Sequence, residues 1–122
     1  MKNGGLASRH CVPCRGGVAP LNEGAARKLL ADVPRWGLSD GATRLSRLFE
    51  FRDFVQAMEF VNRVAGIAEA EGHHPDIEIH WNKVTLTLWT HAIGGLHEND
   101  FIVAAKIDRL LDEPKETAGL TG

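Results

Sequence analysis

The chain has 122 residues, 43% of them hydrophobic, which is enough for one core and too few for two ordinary domains. Its 14 basic and 16 acidic side chains leave a formal net charge of -2, which argues against a polyanion as main partner and so against nucleic-acid binding. No apolar run reaches the roughly 18 residues of a membrane span, and no apolar stretch follows Lys2 as in a secretory signal, so no membrane association and a cytoplasmic location are expected.

The first twenty residues hold four of the 13 glycines, Pro13 and Pro20, and no sustained periodicity. They also hold the two cysteines, Cys11 and Cys14, as a C-x-x-C unit beside His10. Two cysteines cannot staple a secreted fold. A thioredoxin-like site needs the motif between a strand and a helix, whereas Pro13, Gly16 and Gly17 surround it here. A mononuclear zinc site needs a further ligand from elsewhere. Residues 1–19 are therefore read as a flexible N-terminal arm, 20–111 as the folded domain and 112–122 as a C-terminal tail.

From Asn22, a capping residue, Ala25, Leu29, Leu30 and Val33 recur at helical spacing until Pro34 ends the run. Two alternating segments, 36–39 and 43–51, flank Asp40-Gly41, a dipeptide suited to a tight hairpin. A two-residue loop there aligns Trp36, Leu38, Thr43, Leu45, Phe49 and Phe51 on one face, with Arg47 as the misfit. Asp53 then caps a long helix, about 53–71, on which Phe54, Met58, Val61, Ala65 and Ala68 form a stripe before Gly72 stops it.

A second hairpin, 76–81 and 84–91 about an Asn82-Lys83 turn, aligns Ile77, Ile79 and Trp81 with Val84, Leu86 and Leu88. On this reading Trp81 packs in the core. A last helix, about 98–111, presents Val103, Ala104, Ile107, Leu110 and Leu111. The order αββαββα predicts an α+β two-layer domain, an antiparallel four-stranded sheet with three helices packed on one face.

Five of the six histidines fall between 73 and 97. Both ends of a hairpin lie at the same edge of a sheet, so His73 and His74, before the second hairpin, are brought near His91, after it. A cluster of imidazoles suits metal binding or proton transfer near neutrality, and composition does not choose between them. Adjacent histidines on an extended chain point apart, which is poor geometry for one ion, so no metal is expected. Glu69, one helical turn before His73, is suited to orienting an imidazole, and Asp100, in the first turn of the last helix, to steadying His91 or binding a ligand.

The spacing is more specific than the composition. Glu69, three residues, His73-His74-Pro75, five residues, Trp81, nine residues, His91, eight residues and Asp100 make up a signature that resembles that of the pterin-4a-carbinolamine dehydratase family. Phe49-Glu50-Phe51, Asp53-Phe54, Asn82-Lys83-Val84, Thr90-His91 and Gly95-Leu96 extend the resemblance over roughly residues 20–111.

The resemblance implies a hydro-lyase that dehydrates 4a-hydroxytetrahydropterin to the quinonoid dihydropterin. Such an enzyme supports tetrahydrobiopterin recycling after aromatic amino acid hydroxylation, with a functional link to phenylalanine hydroxylase. It implies His73 and His91 as an acid and base pair of unassigned order, Glu69 as their catalytic support, and His74 and Asp100 as substrate-binding residues. It implies a pterin substrate with no separate cofactor, and a homodimer or homotetramer. Two other readings stand beside it: a pterin-binding relative in molybdenum cofactor metabolism, and a protein-interaction module acting as a dimerisation cofactor.

Overall fold

A computed structural model of the protein describes residues 2–13 and 17–112. Its elements run α1 (Lys2–Ala7), α2 (Glu23–Leu30), β1 (Gly37–Ser39), β2 (Arg44–Glu50), α3 (Phe54–Glu71), β3 (Asp76–His80), β4 (Lys83–Leu88), a 3₁₀ turn (His91–Ile93) and α4 (Glu98–Asp112). The sheet is antiparallel throughout, with strand order β1-β2-β4-β3. The α+β architecture with a four-stranded antiparallel sheet is the one the element order predicts, with one helix more than expected: α1 lies within the segment read as an arm.

Both hairpins take a register two residues away from the expected one. In the first, Ser39 pairs with Arg44, leaving a four-residue loop in which Asp40, Gly41 and Ala42 all have positive φ. In the second, His80 pairs with Lys83 and the turn is Trp81-Asn82. Because side chains alternate with period two, a slip of two preserves the face assignments. Leu45, Phe49, Val84, Leu86 and Leu88 are accordingly buried together. The slip does change Trp81. It sits in the turn at φ 52° and is 65% exposed, so it is not the core residue its parity implied.

The stripe of α3 is also displaced from the expected one. Its buried residues are Ala57, Phe60, Val61, Val64 and Ala68, while Phe54 is exposed. The cause is the aromatic cluster at the end of β2, where the Phe60 ring lies 4.7 Å from Phe49 and 5.0 Å from Phe51. Asn22 and Asp53 cap α2 and α3 as expected, accepting the N–H of Ala25 and of Gln56.

Helix α4 is buried on almost every side, from Phe101 through Ala105 and again at Ile107. A helix apolar all round needs cover on more than the sheet side. Here α1 supplies it, with Leu6 and Ala7 buried in the same core. The misfit Arg47 is resolved by α4 as well: its guanidinium donates to Asp108 Oδ1 at 2.6 Å, and Trp36 Nε1 donates to the same oxygen at 2.8 Å. Removing one member of a buried ion pair leaves the other charge unpaired at about 3–5 kcal/mol, more than the intact pair contributes. Asp108→Ala should therefore lower the unfolding free energy by about that amount in urea titration, and adding Arg47→Met should restore part of it.

Candidate functional site

The site lies where the end of α3, the end of β4 and the start of α4 meet. Gly72 takes the left-handed conformation (φ 65°) at the C-terminus of α3, and the His73 N–H bonds back to the Ala68 carbonyl. That reversal is open to glycine at little cost and directs the chain toward α4. On the other side, Thr90 bridges to Gly95 as β4 ends, and the 3₁₀ turn beginning at His91 closes at Gly94, again left-handed. Gly95 lies where a Cβ would meet Pro20 at 2.7 Å, so the absence of a side chain lets the entering chain pack there.

Asp100 is fully buried and serves all three segments. Its Oδ1 lies 2.6 Å from His73 Nε2, and its Oδ2 accepts from the Thr90 hydroxyl at 2.8 Å and from the His97 N–H at 3.0 Å. The His73 side chain is itself only 12% exposed. His74 turns outward instead, its Nε2 2.6 Å from Glu69 Oε2 at the surface. The two adjacent rings are therefore held by different carboxylates.

His91 is positioned by stacking. Its ring lies 3.7 Å from that of Trp89 at an interplanar angle of 22°. The Arg44 guanidinium sits 3.6 Å from the Trp89 ring centroid, so it must occupy the opposite face, since two planar groups at such distances cannot share one. The indole is sandwiched, and its Nε1 donates to Asp76 at 3.4 Å.

These groups surround one cavity of about 570 Å³, lined by His73, His74 and His91 together with Cys11, Glu71, Trp89 and Asn99, among others. All three histidines expected to cluster line it. Asp100 from the interior and Glu69 from the surface each hold one of them: Asp100 holds His73 rather than His91, with its oxygens occupied, and Glu69 holds His74. Sequence reasoning missed Trp89, which lies outside the aligned apolar positions of the second hairpin. It also missed Glu71, Asn99 and Cys11, which carried no periodic signal. Cys14 lies outside the described residues.

Glu71 is buried, which opposes its ionisation. The Cys11 N–H at 2.7 Å, His10 at 3.0 Å and the Lys106 ammonium at 3.5 Å outweigh that and hold its carboxyl below the ordinary value of 4.5. Burial, with the Glu71 carboxylate beside it, pushes the Cys11 thiol up to about 12. Near neutrality Cys11 is a thiol and a poor nucleophile.

Residues 19–110 match the family model described as pterin 4 alpha carbinolamine dehydratase. The chain belongs to that family. A protein of Methylococcus capsulatus named for pterin-4-alpha-carbinolamine dehydratase is 52% identical over 108 residues, covering 88% of this chain and 95% of its own. One of Chlorobaculum tepidum, named likewise, is 48% identical over 87% of this chain and 97% of its own. Among solved structures, a transcriptional coactivator/pterin dehydratase from Brucella melitensis superposes with a TM-score of 0.71 at 33% identity, covering 75% of this chain and 97% of its own. A pterin dehydratase-like protein described as a RuBisCO assembly factor in the alpha-carboxysome superposes at 0.55 with 25% identity, covering 65% of this chain and 92% of its own. Among the described residues no helix is long and apolar enough to cross a membrane.

Because Glu71 ionises more readily in the folded chain than in the unfolded one, its contribution to stability is complete above 4.5 and is lost as the pH falls through its lower folded value. Glu71→Gln should therefore be less stable than the parent at neutral pH, and the difference should close on acidification. Urea titrations of the two proteins across the acid range check this.

Proposed function

We propose that the protein dehydrates a 4a-hydroxytetrahydropterin, expelling the C4a hydroxyl and the N5 proton as water to leave the quinonoid dihydropterin. The observation that carries this reading is the convergence of His73, His74 and His91 on one cavity, with His73 bonded to a fully buried carboxylate. The membership of the family and the 52% identity of the Methylococcus relative support the same chemistry.

The reaction needs a base for the N5 proton and an acid for the departing hydroxyl, both working near neutrality, and imidazole serves either role. His73 and His91 take these two roles. Asp100 acts through His73: by engaging Nε2 it fixes the ring and leaves Nδ1 for the reacting atoms. His74, oriented by Glu69, contacts the substrate. Trp89 and Arg44 hold the His91 ring at its place on the rim. The pterin is the substrate, and the proton transfers call on no further cofactor. Recycling of tetrahydrobiopterin after phenylalanine hydroxylation, in the cytoplasm and as a homo-oligomer, is the setting this reading implies.

The test follows 4a-hydroxytetrahydropterin breakdown by absorbance. His73→Ala and His91→Ala should each lower kcat by about 10²–10⁴-fold, measured above the spontaneous reaction. His74→Ala should chiefly raise KM. Undiminished turnover in a folded His73→Ala/His91→Ala protein would overturn the proposal.

A further inference from the structure

The segment before the family core is built into the site. From α1 the chain crosses α4 and reaches the cavity, anchored at every step: Lys106 Nζ donates to the Ala7 carbonyl at 2.7 Å, Arg9 pairs with Glu98, and His10 and the Cys11 N–H meet the Glu71 carboxylate. The last anchor is a two-point clamp. The Asn99 carboxamide accepts the Val12 N–H at 3.1 Å and donates to the Val12 carbonyl at 2.7 Å, so one side chain serves both backbone groups as a neighbouring strand would.

Asn99 is 2% exposed and the Glu71 side chain 5%. Buried polar groups like these need partners, and this segment provides them. Their position in the chain also matters. Glu71 stands two residues before His73, and Asn99 immediately precedes Asp100. The two turns that carry the His73–Asp100 pair are the turns that grip the segment. Where it ends, Cys11, Val12 and Pro13 line the same cavity as the three histidines. All three present uncharged surface, Cys11 as a thiol.

We propose that residues 10–13 form a wall of the ligand cavity, clamped by Glu71 and Asn99, and that an uncharged part of the bound pterin packs against Cys11 and Val12. The segment is thus a binding element lying N-terminal to the residues that match the family model. This rests on the pterin reading of the site, and it adds to that reading the residues that select the ligand.

The experiment uses the full chain carrying Cys14→Ser, so that Cys11 is the only thiol, and reads its modification by N-ethylmaleimide by mass spectrometry. Biopterin, which has no C4a hydroxyl to lose, should slow the labelling of Cys11 in proportion to its occupancy. Leu6→Asp, in the core and outside the cavity lining, should undock α1, speed the labelling and raise KM for the 4a-hydroxypterin about tenfold while kcat holds, the size expected for one lost packing contact. Equal labelling with and without biopterin in a chain that turns over substrate would overturn the wall and leave the dehydratase reading standing. Protection by biopterin in a chain with no turnover would uphold the wall and end the dehydratase reading. An unchanged KM in a folded Leu6→Asp protein whose Cys11 has become reactive would likewise overturn the wall. If Leu6→Asp does not fold, Lys106→Met, which loosens the same segment at Ala7, carries the same expectations.

Discussion

One buried carboxylate organises this molecule. Asp100 has no access to solvent, so both of its oxygens need hydrogen-bond partners, and these come from three separate stretches of chain: His73 after α3, Thr90 after β4 and the backbone of His97 before α4. Satisfying that one group fixes the relative positions of the helix ends and the sheet edge. It also fixes the orientation of His73, whose side chain is nearly buried. The rest of the site follows from that junction, since the turn at Gly72 and the 3₁₀ turn after Thr90 aim His74 and His91 from its two sides.

A second set of buried polar groups repeats the device one layer out. Glu71 and Asn99 bind the backbone of the N-terminal segment, and α1 completes the cover over α4, whose apolar residues run round its whole circumference. The ion pair between Arg47 and Asp108 ties α4 to the sheet at the other end. Helix α4 is held by charge at both ends and by packing between them. This arrangement suits the two proton transfers proposed for the site, which need its parts kept in place.

The histidine cluster was legible in the sequence because it needs only hairpin geometry: the two ends of an antiparallel pair meet whatever the turn register. The same parity makes the sheet faces readable even though both pairing registers differ by two residues from the expected ones. Trp81 was misjudged for the complementary reason, since a residue's parity says nothing once it falls inside the turn. In α3 the periodicity was right and its phase wrong, because Phe49 and Phe51 decide which side Phe60 takes. The partnership of Asp100 with His73 rather than His91 was not readable, as it depends on how α4 is seated against α3. The N-terminal segment was least legible. A glycine-rich stretch with no periodicity has no pattern of its own, and it is ordered by Glu71, Asn99 and Lys106 in distant parts of the chain.

The central claim is that Asp100 acts by holding His73 in place as a charged acceptor. Replacement of Asp100 by asparagine preserves its shape and removes one acceptor, so turnover of 4a-hydroxytetrahydropterin by Asp100→Asn, with folding verified by circular dichroism, tests it most directly. The account predicts a folded protein whose kcat falls by about 10²-fold, within the range of a misplaced acid–base group. A folded Asp100→Asn protein with the parent's kcat would contradict it.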